Sequence, residues 1–170
     1  MRLGYAGTAL RTCRMGDKHP NEIIPYAVEL AQINLDDLEK TIKWNEAHGL
    51  RFFRISSDIF PQITNWRLMN NKLDYHKLNY NLEQFRPQIA RIGALARQYG
   101  HRLTFHPGFF TVLNTSNHFV LVSVLRELWW HTTFLEMAGM DGNSVLILHI
   151  GGVGKNKHAA IQQLDRKSVV

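Results

Sequence analysis

Apolar and polar positions follow a repeating alternation along the chain. Residues 2–6 form a short apolar piece, followed by a loop that carries Gly7, Gly16 and Pro20. Asn34 reads as a helix N-cap, because Leu35, Leu38, Ile42 and Asn45 follow at helical spacing and Gly49 closes the segment. Residues 50–56 (LRFFRIS) predict a buried, aromatic-rich strand. Residues 57–81 read as a long polar loop broken by Pro61, Asn65 and Asn70-Asn71, and that length argues for a functional excursion. The second half repeats the logic. Leu82, Phe85, Ile89, Ile92 and Leu95 keep helical spacing up to Tyr99-Gly100, and RLTFH at 102–106 is a strand that stops at Pro107-Gly108. A long helix is predicted over 119–137, a strand over 144–149 (SVLILH) and a last helix over 157–165.

Strand and helix in turn, four times over, is the mark of parallel βα units. An open flavodoxin-like sheet is one solution. The other is part of a (β/α)8 TIM-type barrel, which normally needs about 250 residues. Four units in 170 residues make half a barrel. The strand ends discriminate, since barrel chemistry gathers at the C-terminal strand tips.

Composition narrows the field. A hydrophobic fraction of 45% supports a packed core and excludes intrinsic disorder. No apolar run approaches the ~18–20 residues of a membrane span, and the N-terminus lacks the apolar stretch of a secretory signal. Cys13 is the single cysteine, so neither an internal disulfide nor a CxxC zinc site can form. The expectation is a soluble intracellular chain in a reducing compartment. Twenty Lys and Arg against 14 Asp and Glu give a net charge of +6, which favours an anionic partner such as nucleic acid.

Two of the nine histidines stand at predicted strand tips, His106 before Pro107-Gly108 and His149 before Ile150-Gly151-Gly152. Imidazoles from neighbouring tips could share one divalent cation, or form a hydrogen-bonded pair without one. Asp58 could cap a turn or join a polar network, and Asn65 could reach the bowl as a neutral oxygen ligand. Tyr5, at the first tip, could stack on a nucleobase or simply close the barrel. Phe109-Phe110 suit a wedge between stacked bases, or two core rings under a loop. Gly151-Gly152-Val153-Gly154-Lys155 fails the Walker spacing, although its amides with Lys155 and Lys157 could hold a DNA phosphate. His131 reads as a structural hydrogen-bonder. His19, His48, His76, His101, His118 and His158 read as loop or surface residues. No Gly-x-Ser-x-Gly elbow or Cys–His pairing at strand tips is present.

Several strings carry a resemblance: RLGY at 2–5, CRMG at 13–16, IKWNEAHGLRFFRISSDIFP at 42–61, HRLTFHPGFF at 101–110, REL at 126–128 and LHIGG at 148–152. In order and spacing the chain resembles the UV-damage endonuclease family from Arg2 to about Leu164. The resemblance implies a TIM-type barrel with divalent ions at its C-terminal face, commonly Mn²⁺, with Mg²⁺, Co²⁺ or Zn²⁺ as the other candidates. It also implies cleavage of damaged double-stranded DNA on the 5′ side of a photolesion. His106 and His149 match the first two histidine ligands, and Tyr5 an aromatic that helps probe the lesion. The glycines and lysines after His149, with Lys155 and Lys157, match the DNA-facing rim.

Three departures accompany it. Many members carry a histidine ligand where this chain has Asn65. The two residues after HPG are typically Gln-Tyr, and here they are Phe109-Phe110, which keep the wedge and lose the polar contacts. The family's carboxylates and remaining histidines lie on later strands. The expectation is therefore a single domain over residues 1–170, the N-terminal portion of a barrel, with little or no nuclease activity in isolation. The competing readings are a metal-dependent sugar isomerase or epimerase on the same barrel type, and a remnant that binds DNA without chemistry.

Overall fold

The computed structural model describes residues 3–7, 11–14, 16, 19–65, 80–149 and 156–165. Three parallel strands, β1 (Gly4–Ala6), β2 (Phe52–Ser56) and β3 (Arg102–His106), lie side by side in chain order. Helix α1 (Pro20–Ala47) joins β1 to β2, and α2 (Arg86–Gln98) joins β2 to β3. Helices α3 (His118–Met137) and α4 (Lys157–Asp165) follow. The register is unbroken: Gly4, Phe52 and Arg102 align, and four residues on Ser56 aligns with His106.

Side chains alternate between the faces of a strand. Phe53, Ile55, Leu103 and Phe105 are buried on the outer face, where Ile42, Ile89, Ile92 and Phe134 join the same core. Phe105 meets Trp130 and Phe134 edge-on, at centroid separations of 5.4 and 5.1 Å, and Phe60 from the loop after β2 meets both as well. Gly93 of α2 lies so close to the end of α3 that an added Cβ would run into the Ala138 carbonyl. The helices stop alike. Gly49, Gly100 and Gly139 have φ of 70°, 67° and 63°, and the amides of Leu50, His101 and Met140 bond back to Asn45, Ala96 and Leu135.

Sequence and structure differ at four places. Helix α1 begins at Pro20 rather than beside Asn34, with Pro20 in the first turn and His19 Nδ1 accepting from the Asn21 amide. Asn34 sits inside that helix, fully buried, and spends its amide on tertiary bonds instead of a cap: Nδ2 donates to the carbonyls of Arg11 and Ile59, and Oδ1 accepts from the Arg11 amide. The predicted strand over 144–149 is reduced to two isolated parallel bridges, Phe105 with Leu146 and Val112 with His149. His101 is buried, with Nε2 3.1 Å from Glu46 Oε2, so it belongs to the framework below the sheet rather than to a surface loop. The segment 157–165 is helical as expected.

Candidate functional site

The inner face of the sheet carries the polar residues. Arg54 aligns with Thr104, and one layer toward the strand tips Ser56 aligns with His106. Because His149 bridges to Val112 just beyond β3, its ring comes to 4.9 Å from that of His106, at 45°. Two imidazoles bound to one cation through nitrogens at ~2.1 Å have centroids about 5 Å apart, so this pair has the spacing of two ligands. The His106 imidazole is held below its ordinary pKa, mostly by burial, with the charges of Arg54 and His149 adding to the effect. A neutral ring at neutral pH is the form that coordinates. The pair fits part of a metal site and no more: among the described residues, no three His, Cys, Asp or Glu side chains form a group that could hold an ion.

Phe109 and Phe110 follow on a turn, 66% and 76% exposed, with their rings 3.9 Å apart. Among the described residues neither ring belongs to the core. Tyr5 lies on the opposite face: its ring packs edge-on against Phe53, and its hydroxyl donates to Asn45 Oδ1 of α1 at 2.8 Å. It stays 39% exposed, so an edge of the ring is open. Asn65 donates through Nδ2 to Gln62 Oε1, and Gln62, at φ 64°, donates to the Cys13 carbonyl. The loop after β2 is therefore tied to the loop after β1. Lys157 is exposed at the start of α4, and Lys155 with Gly151, Gly152 and Gly154 lies outside the described residues, as does His76.

Beside the β2 tip, Asn65 lines a polar recess with Ser57, Asp58, Thr64 and Glu127. Burial pushes the Glu127 carboxyl up, the Trp130 and Thr64 side chains beside it pull back, and the negative charge of Asp58 raises it further. His131, one turn on, is fully buried; its Nδ1 lies 2.6 Å from the Glu127 carbonyl, the structural role expected of it. Arg54 and Glu127 lie inside two strings that carry the family resemblance, RFFRISSD and REL, but those strings assign neither a role. The alternation in LRFFRIS places Arg54 on the same side as Ser56, whereas the sequence around Glu127 gives no sign of the recess it lines.

The fold is a parallel α/β domain, with Ser56 and His106 at the carboxyl ends of β2 and β3 and His149 beside them. The family model described as UV-endonuclease UvdE matches residues 3–169, and the chain belongs to this family. It is 41% identical over 140 residues to a protein of Acanthamoeba polyphaga mimivirus, covering 81% of this chain and 40% of that one. It is 32% identical to the UV-damage endonuclease of Schizosaccharomyces pombe, covering 97% of this chain and 28% of the relative. It is 31% identical to the UV DNA damage endonuclease of Clostridium perfringens, covering 94% and 37%. The chain thus spans less than half the length of these relatives. The crystal structure of SacUVDE superimposes with a TM-score of 0.80 at 24% identity, over 98% of this chain and 55% of that one, a likeness of fold. Among the described residues, no helix is long and apolar enough to cross a membrane.

Proposed function

We propose that this chain is part of a DNA-repair endonuclease that uses divalent metal to cut the backbone of damaged duplex DNA on the 5′ side of a UV photolesion. The observation that carries the reading is the imidazole pair, 4.9 Å apart, next to two exposed phenylalanines. His106 and His149 would hold a divalent ion, Mn²⁺ first among the candidates, together with carboxylates from outside the described residues. Such an ion, when bound, supplies Lewis acidity to a phosphate and lowers the pKa of a water. The chain's own part is to keep His106 neutral and aimed from a registered strand. Phe109 and Phe110 offer apolar faces to an unstacked step, and Lys155 and Lys157 offer charge to the backbone. The domain is read as the first βα units of a TIM-type barrel. The exposed ring pair and the net charge of +6 favour DNA over a sugar substrate.

The test is substoichiometric Mn²⁺ added to ¹⁵N-labelled protein, with irradiated and unirradiated duplexes compared for binding and nicking. Selective broadening of the His106 and His149 ring signals, abolished by His106→Ala, together with tighter and salt-sensitive binding to irradiated duplex, is the expected outcome. Rings that do not respond, or equal binding of the two duplexes, would end the reading. Two imidazoles make an incomplete ligand set among the described residues, so this chain alone is expected to show little or no nicking of irradiated plasmid.

A further inference from the structure

One layer below the imidazole pair, the inner face carries two polar side chains that the proposed chemistry has not used. Arg54 and Thr104 are register partners on β2 and β3. Thr104 is fully buried, and its hydroxyl has no hydrogen-bond partner among the described residues. Arg54 is half-buried, and its Nε is likewise buried and unpartnered among them. Buried donors left unmatched are costly, and a permanently charged guanidinium more so than a hydroxyl. Two such donors on paired positions of adjacent strands lie on the same side of the sheet, where one acceptor could meet both.

The geometry points to an oxyanion subsite in which the Arg54 guanidinium, backed by the Thr104 hydroxyl, binds a phosphate group of the DNA backbone held against His106 and His149. Two residues of strand rise about 6.6 Å, a distance the Arg54 stem can climb to bring its head level with the His106 ring. Its fixed charge fits the same assignment. A cation beneath two metal-binding imidazoles repels a divalent ion unless an anion lies between them, and a phosphate oxygen is that anion. The planar fork of arginine suits two phosphate oxygens at once. The inference rests on the proposed metal-bearing pair, and it adds that metal and phosphate reinforce each other's binding through Arg54.

The test measures Mn²⁺ affinity with and without inorganic phosphate, in wild type, Arg54→Gln, Arg54→Lys and Thr104→Val, with far-UV circular dichroism as the check on folding. Phosphate is expected to strengthen Mn²⁺ binding by wild type about tenfold, the gain of one charge-assisted bidentate contact. Arg54→Gln should cut the enhancement below about twofold, with Arg54→Lys and Thr104→Val in between. An enhancement of equal size in wild type and Arg54→Gln overturns the subsite. If Arg54→Gln fails to fold, full enhancement in both Arg54→Lys and Thr104→Val overturns it. If wild type binds no Mn²⁺, the metal reading fails by itself. The subsite is then decided by ³¹P line broadening of phosphate on metal-free protein: broadening lost in Arg54→Gln supports it, and broadening alike in both, or absent, overturns it. A short duplex should displace the bound phosphate, and failure to do so overturns the assignment to backbone phosphate.

Discussion

The two faces of the sheet are built from the same two stretches of chain and obey opposite rules. On the outer face Phe53, Ile55, Leu103 and Phe105 are sealed under helices, and Phe105 alone meets three aromatic rings. On the inner face Arg54, Ser56, Thr104 and His106 occupy the intervening positions, and two of these keep buried polar atoms without partners among the described residues. The parity of a residue's place in the strand decides whether it joins the core or the candidate site. A sheet that must do both separates them by one residue.

The largest effect expected from this division is on the outer face. Phe105→Ala should cost about 3–5 kcal/mol in urea unfolding, through lost burial and the cavity left behind. Thr104→Val, its neighbour in sequence, should stay within about 1 kcal/mol of wild type or gain slightly, because it removes an unpaired hydroxyl. Similar losses from both would break the comparison.

A second effect follows from His131, which packs against Phe105 from α3 and whose pKa is pushed down to about 4 by burial, partly countered by the Glu127 carbonyl. Below pH ~6.5 the unfolded chain takes up a proton that the folded chain refuses until about pH 4. Stability should therefore be full above that window and fall by up to about 3 kcal/mol on descending through it. The Glu127 carboxyl, shifted upward, offsets part of the loss. Urea midpoints at pH 7, 6 and 5 read the slope, and His131→Gln should flatten it.

Asn34→Ala should come next. Three hydrogen bonds from one buried amide join the loops after β1 and β2, and their loss should cost about 1–3 kcal/mol in thermal unfolding. The smallest change in stability belongs to Phe109→Ser with Phe110→Ser. Both rings are exposed, so unfolding should shift by less than about 0.5 kcal/mol while affinity for irradiated duplex falls several-fold. A loss of stability with no loss of affinity would move this pair from the site to the core.

The same division explains what the sequence disclosed. Strands β2 and β3 and helix α2 were legible because their apolar positions match their burial, whereas α3 is rich in apolar residues on several sides and leaves Phe119, Leu125 and Trp129 exposed. Helix α1 was half-hidden, since Pro20, Pro25 and Asn34 all look like interruptions from sequence alone. Pro20 stands in the first turn, where no intrahelical bond is lost, Pro25 is accommodated inside the helix, and the Asn34 amide serves distant carbonyls. Residues 144–149 have strand composition but meet β3 only through isolated bridges, which local propensity does not report. Of the candidate residues, His106 and His149 stand out in the sequence by the glycines that follow them. Glu127 becomes visible only once Asp58 and Thr64 are folded against it.

The bare backbone of Gly93 reaches further than its place on α2 suggests. On the convex side of a curved sheet, the distance between neighbouring helices sets the arc each βα unit subtends. Position 93 meets the Ala138 carbonyl, at the hinge from which the chain runs back to Leu146 and His149. A methyl group there would push the end of α3 away from α2 and, with it, the segment that carries His149. In a saturation scan, position 93 would then score like the residues of the candidate site while touching none of them, because what it transmits is spacing.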